Sequence, residues 1–269
     1  MENFFYNKVV VITGGSSGIG RALVEECIKR GAKVSTCSRN NDKLYELQMQ
    51  FAGSPLLAVV ADVSNQQDCN NFITKTIRTF GGIDVLINNA GLSMRALLKD
   101  TDVNVIKQLM DVNFFGAVYC TKDALDSIIR RKGIIVGVSS IAGFRGLPGR
   151  TGYSASKYAL NGFMESLRTE LLKTGVHVMW VCPGFTASNI RNVALSANGQ
   201  PQKESPLNEQ SLMPAEACAK HILNAITKRK RTLMLTLKGK QTALINRFFP
   251  KLADRLVYNF FFRKGKLVK

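Results

Sequence analysis

Residues 8–20, KVVVITGGSSGIG, decide the fold: a β-branched run enters a glycine-rich loop, and the loop opens directly into the amphipathic stretch GRALVEECIKRG (20–31). The run is short and uniformly apolar, as in a strand covered on both faces. The stretch after it repeats its apolar positions at helical spacing and ends on a glycine suited to a helix C-cap. The same pattern recurs downstream. KVSTCS (33–38), LLAVVA (56–61), IDVLIN (83–88), GIIVGVS (133–139), HVMWVC (177–182) and TLMLT (232–236) read as further buried strands separated by helical segments. Strand-helix alternation of this kind predicts an α/β fold, a doubly wound seven-stranded parallel sheet with helices on both faces. Ligands of such sheets bind beyond the carboxyl ends of the strands.

The strand ends carry the chemistry. Gly14, Gly18 and Gly20, spaced G-x-x-x-G-x-G, let the backbone turn tightly and approach a pyrophosphate at a helix N-terminus. The second strand ends in Ser38 and Arg39. A site for NAD places an acid there to grip the ribose hydroxyls, whereas an arginine can pair with a 2′-phosphate or simply face solvent. Farther on, SSIAGFRGLPGRTGYSASKYALNGF (139–163) holds Tyr153 and Lys157 four apart, with Ser140 thirteen positions before the tyrosine. Residues four apart share a helix face, and a nearby ammonium lowers a phenol's affinity for its proton. Alternation along a strand separates Ser139 from Ser140.

Composition narrows the alternatives. A chain of 269 residues with 45% apolar content can bury one large core. No window reads as a membrane span, and MENFFYNKVVVITGG does not read as a secretory signal. The cysteines at 27, 37, 69, 120, 182 and 218 form no C-x-x-C pair and read as reduced core residues of a cytoplasmic protein. His177 and His221 stand apart, so no metal site is expected. The net charge is +18, of which residues 228–269 supply +12 from thirteen Lys or Arg against Asp254. Such a charge invites nucleic-acid or anionic-membrane readings, but no nucleic-acid-binding motif accompanies it.

These motifs together resemble the short-chain dehydrogenase/reductase family, single-domain type, from about residue 8 to residue 190. The match to TGGSSGIG implies cofactor contacts from Gly14, Ser16, Ser17, Gly18, Ile19 and Gly20. ADV (61–63) matches the segment flanking the adenine, implicating Asp62 and Val63. NNAG (88–91) matches the motif bordering the nicotinamide ribose, implicating Asn89, Ala90 and Gly91. PGFTAS (183–188) matches the carboxamide loop, implicating Pro183, Gly184, Thr186 and Ser188, the last where the family usually has threonine. Asn113, Ser140, Tyr153 and Lys157 match the catalytic tetrad in order and spacing.

The resemblance implies an NADP(H)-dependent reductase of a ketone, or a dehydrogenase of the matching secondary alcohol. In that scheme Ser140 hydrogen-bonds the carbonyl oxygen and Tyr153 delivers its proton. Lys157 lowers the tyrosine pKa and binds the nicotinamide ribose. Asn113 either anchors a proton-relay water or breaks its helix. Met94, Phe144, Leu147 and Phe185 either wall an apolar substrate pocket or pack in the core. An apolar wall would suit a steroid-like or long-chain ketone. A 3-oxoacyl or 3-ketosphinganine-type reductase and an NADP-binding redox sensor are the alternatives. The resemblance also implies a homodimer or homotetramer, paired through helices near 101–130 and 153–173.

Residues 1–239 form the expected catalytic domain, with a lid near 189–213, and 240–269 an added basic segment. On a helical projection Phe249, Leu252, Ala253, Leu256, Val257, Phe260 and Phe261 fall on one arc, opposite Arg247, Lys251, Asp254, Arg255 and Tyr258. Arg263, Lys264, Lys266 and Lys269 follow. Such a helix either lies on anionic membrane, giving peripheral attachment at its cytosolic face, or packs on the protein.

Overall fold

The computed structural model describes residues 3–208 and 211–268. Its strands are β1 Val9–Thr13, β2 Lys33–Ser38, β3 Leu56–Val60, β4 Val85–Asn88, β5 Ile134–Val138, β6 His177–Cys182 and β7 Thr232–Met234. They form one seven-stranded sheet in the order β3-β2-β1-β4-β5-β6-β7, and every pairing is parallel. The doubly wound sheet expected from the alternating pattern is therefore the sheet observed.

Three helices follow the first strands: α1 Gly18–Lys29, α2 Asn41–Gln50 and α3 Gln66–Phe80. α4 Val103–Met110 and α5 Gly116–Arg130 come next, joined by a π-helical turn, Asp111–Phe115. α6 Thr151–Glu170 precedes β6, and α7 Ala215–Thr227 precedes β7. Side-chain alternation sorts these helices onto the two faces. Val10, Ile12, Val85, Ile87, Val136 and Val181 pack with α1 and α7, while Val11, Leu86, Ile135 and Val178 pack with α3, α5 and α6. β1, β4, β5 and β6 thus bury both faces, the physical origin of their unbroken apolar reading, whereas the edge strands β3 and β7, also expected to be buried, are only half-buried.

The strand expected from residue 83 begins instead at Val85. Asp84 is occupied below it, accepting from the Val9 amide at 2.8 Å and from Arg131 at 3.0 Å. These bonds satisfy polar groups at the amino edge of the sheet.

Beyond β7, α8 Leu237–Phe248 and α9 Pro250–Phe261 lead into a two-stranded hairpin, β8 Phe262–Arg263 and β9 Lys266–Leu267. α8 runs through the boundary expected at residue 239. The segment folds back on residues 144–149. Asn246 donates to the Phe144 carbonyl at 2.9 Å, Arg145 reaches both Asn246 and Asp254, and the Leu267 side chain lies over Gly149. The expected apolar arc is split. Ala253 and Phe261 are buried against the domain, whereas Phe249, Leu252, Leu256 and Phe260 stay exposed. Lys269, counted with the arc's trailing cations, lies outside the described residues. No helix among the described residues is long and apolar enough to cross a membrane.

Candidate active site

The chain reverses direction across the sheet between β1 and β4, whose carboxyl ends open a cleft of about 850 Å³. Thr13 ties the two strand ends together, its hydroxyl accepting from the Asn89 and Ala90 amides, each at 3.0 Å. Asn89 returns a bond from its side-chain amide to the Thr13 carbonyl at 2.9 Å.

Above this clasp the glycine loop follows β1. A Cβ at Gly20 would stand 2.1 Å from the Gly14 carbonyl oxygen, so only glycine fits there. Gly14 and Gly18 take φ of +72° and +53°, conformations that L side chains rarely adopt. The helix they open lacks a side-chain cap on Ser17 and has no acid in its first turn. Its free N–H groups and positive dipole end therefore point into the cleft, where a phosphate fits. Ser16 braces the loop by a 2.7 Å bond to Ser38. Arg39 extends from the end of β2, 3.6 Å from Asp62 and largely exposed, and Lys43 also lines this end.

Every expected cofactor residue lines the cleft: Gly14, Ser16, Ser17, Gly18, Ile19, Gly20, Ser38, Arg39, Asp62, Val63, Asn89, Ala90, Gly91, Pro183, Gly184, Thr186 and Ser188. Ser140, Tyr153 and Lys157 line it too. Asn113 does not, and it is buried behind Gly91. Its side-chain oxygen accepts from the Leu92 amide at 2.7 Å, and its amide donates to the Leu92 carbonyl at 2.9 Å and to Ser156 at 2.8 Å. The side chain is spent on the fold, so a relay water on Asn113 would need its main-chain carbonyl. The π-helical turn that holds it widens the backbone at that point.

The electrostatics of the pair differ from a simple ammonium-phenol couple. Burial raises the Tyr153 pKa above the ordinary value, and a hydrogen bond with Ser140 and the charges of Arg150 and Arg191 pull it back. Lys157 donates to the Val138 carbonyl at 2.9 Å, and burial drives its pKa down to about 8. Desolvation is thus the largest influence on both groups.

Of the expected apolar wall, Leu147 and Phe185 line the cleft. Met94 packs instead with Val105, Leu109 and Leu195 in a small separate core, and Phe144 lies against the helix-covered sheet face. The lid segment 189–213 contributes Asn189, Ile190, Arg191, Val193, Leu195, Gly199 and Pro201, and α8 adds Lys238, Gly239 and Thr242. Residues 209–210 of that lid lie outside the described residues. Among the described residues no group of three metal-ligating side chains converges.

A model of the short-chain dehydrogenases matches residues 8–198. The chain belongs to the short-chain dehydrogenase/reductase family. It is 35% identical to dehydrogenase/reductase SDR family member 7B of Mus musculus over 87% of its own length and 74% of that protein's. It is 36% identical to 11-beta-hydroxysteroid dehydrogenase A of Arachis hypogaea over 93% of its length and 75% of that protein's. Its fold superposes on an alcohol dehydrogenase from Thermococcus sibiricus complexed with 5-hydroxy-NADP, with a TM-score of 0.72 at 25% identity, covering 85% of this chain and 95% of that one. A short-chain dehydrogenase/reductase from Burkholderia phymatum in complex with NAD shares the fold, with a TM-score of 0.81 at 24% identity over 94% of this chain and 96% of that one. As a member of the family the chain is an oxidoreductase of alcohol or ketone groups that uses a nicotinamide cofactor.

Arg150, Arg191, Lys43 and the α8 contribution escaped the family motifs. Only Arg150, three residues before Tyr153, stood where helical proximity could have flagged it.

The buried lysine yields a stability prediction. Because its folded pKa of about 8 lies below the ordinary 10.5, the unfolded chain binds the extra proton between those values. Folded stability therefore rises with pH across that window. Urea unfolding of wild type and Lys157→Met at pH 7 and pH 10.5 should show the wild type gaining about 3 kcal/mol on the variant between the two. A pH-independent difference would contradict the burial of a charged Lys157.

Proposed function

We propose that the protein is an NADP(H)-dependent reductase of an apolar, steroid-like or long-chain ketone, or a dehydrogenase of the matching secondary alcohol. The observation that carries it is the convergence of Ser140, Tyr153 and Lys157 on the cleft that also contains the glycine loop and the bare N-terminus of α1. NADPH, when bound, supplies the hydride that adds to the carbonyl carbon. The protein's part is to hold the oxygen and protonate it. Ser140 Oγ donates to the carbonyl oxygen, and Tyr153 transfers its phenolic proton to that oxygen as negative charge develops there. A phenol whose pKa burial holds high is protonated at neutral pH, the form that reduction requires. Lys157 orients the cofactor ribose and returns a proton to the phenolate, and the main-chain carbonyl of Asn113 is the anchor for a relay water.

Three features support NADP over NAD. The end of β2 carries Arg39 rather than an acid, Lys43 stands beside it, and Asp62 is engaged by both Ser64 and Arg39. The apolar choice of substrate draws on Leu147, Phe185, Ile190 and Val193 in the cleft, and on the relatives named as hydroxysteroid dehydrogenases. A 3-oxoacyl or 3-ketosphinganine-type ketone fits the same lining. A non-turning redox sensor has less support, because a sensor needs none of the proton-transfer groups.

The exposed residues Phe249, Leu252 and Leu256 belong to a tail that carries most of the net positive charge. This favours peripheral contact with anionic membrane through that outer face, while Phe261 and Ala253 hold the inner face on the domain.

Cofactor oxidation with a panel of steroid and long-chain ketones tests the enzymatic reading. Wild type should turn over with NADPH and be at least about ten-fold slower with NADH at limiting cofactor, and Arg39→Asp should reverse that order. Faster turnover with NADH in the wild type would refute the NADP assignment. For the membrane reading, the full chain should co-sediment with phosphatidylserine vesicles and be released by salt. Equal sedimentation with neutral vesicles, or none with either, would count against it.

A further inference from the structure

Arg150, Arg191 and Lys238 line the cleft without a role in the scheme above. Arg150 is the N-cap residue of α6, where the positive end of the helix dipole disfavours a cation. Its Nη1 is buried and has no hydrogen-bond partner. No carboxylate of the described residues forms an ion pair with it. Burial presses its pKa downward, the Tyr153 phenol opposes that shift, and the charges of Arg95 and Arg191 add to it. Its guanidinium lies 5.6 Å from the Phe261 ring centroid, so the tail covers one side of it with an aromatic face. Arg95 is already committed to Gln202 and Glu204, and Arg191 donates to the Thr186 carbonyl at 2.7 Å.

The imbalance extends over the whole cleft. Arg39, Lys43, Arg150, Lys157, Arg191 and Lys238 line it, against Asp62 as the one acid among the described lining residues, and Asp62 lies at the end occupied by Arg39. Among the described residues no carboxylate acts on Tyr153. Arg150 is half-buried, and a buried N–H group left without a partner costs free energy that an anionic group in the cleft would recover.

We propose that the substrate bears an oxyanion, a carboxylate or a phosphate, close to its carbonyl, and that Arg150 is the specificity-determining residue that pairs with it. The inference rests on the reductase reading for the identity of the cleft. It narrows the substrate from any apolar ketone to an amphiphile, with its anionic group at Arg150 and its apolar part along Leu147, Phe185, Ile190 and Val193. Phe261 seals the pair from water, which strengthens the interaction and links substrate recognition to docking of the tail.

Binding tests this without turnover. Octyl phosphate, octanoate and octanol are titrated calorimetrically into the full-length wild type and into Arg150→Gln, both saturated with NADP. Wild type should bind at least one of the anions about ten-fold or more tightly than octanol, and Arg150→Gln should lose that margin. The stronger of the two anions identifies the group as phosphate or carboxylate. The basic tail attracts anions as well, so the comparison between the two proteins decides. In a second arm, a 4-oxo acid and its methyl ester serve as substrates. The ratio of their kcat/KM values should fall toward one in Arg150→Gln, and it is insensitive to any effect of Arg150 on the Tyr153 proton. Octanol binding as tightly as both anions in wild type, or a margin that survives in Arg150→Gln, overturns the proposal. Anion binding that depends on Arg150 in a protein that reduces no ketone would keep the anion site at Arg150 and overturn the reductase reading, and with it the keto substrate.

Discussion

The Thr13 hydroxyl accepts two backbone amides from the end of β4, and the arrangement of the cleft follows from that clasp. β1 and β4 are adjacent in the sheet but lead their following segments to opposite sides, and the clasp holds their diverging ends at fixed separation. The glycine loop sits on one side of it. Asn89, Ala90 and Gly91 sit on the other, and Gly91 leaves just enough room for Lys157 and Asn113 behind it, with a Cβ there reaching 3.2 Å from Asn113 and 3.5 Å from Lys157. The glycine loop and the side chains of Ser140, Tyr153 and Lys157 are thereby registered to each other through one hydroxyl.

Buried positive charge is the second organising feature. Lys157 is desolvated but tied to the Val138 carbonyl, whereas Arg150 is desolvated with Nη1 unpartnered. Both costs are borne by the folded state, and both are placed beside Tyr153, whose own burial keeps it protonated. Strain of this electrostatic kind concentrates where charge will change during a reaction. The tail takes part as well. Phe261 covers Arg150 and α8 walls the cleft, so residues after β7 belong to the site as much as to the surface.

Much of this was legible in the sequence, for local reasons. Buried parallel strands read as unbroken apolar runs, so all seven strands could be placed to within a residue or two at most ends. The glycine loop and the Tyr153–Lys157 pair are also local, since their meaning depends on spacing along one loop and one helix. What escaped depends on which way a side chain turns after packing. Met94 and Phe144 are close in sequence to cleft residues but rotate into apolar cores, because neighbouring helices offer them more contact there. The desolvation that raises the Tyr153 pKa and lowers that of Lys157 also escaped, because spacing says nothing of burial. The tail's arc was correctly apolar, yet amphipathicity alone could not show that Ala253 and Phe261 face inward while Leu252 and Leu256 face out.

The central claim is that hydride moves from a nicotinamide to a carbonyl in this cleft while Tyr153 supplies the proton. Mass spectrometry of the alcohol formed from a long-chain keto acid and NADPH deuterated on the transferred position of the nicotinamide tests it most directly. The account predicts one deuterium on the carbinol carbon with the wild type and none above background with Tyr153→Phe, although that variant still binds NADPH. Undeuterated alcohol from the wild type, or labelled alcohol formed at the wild-type rate by Tyr153→Phe, would contradict it.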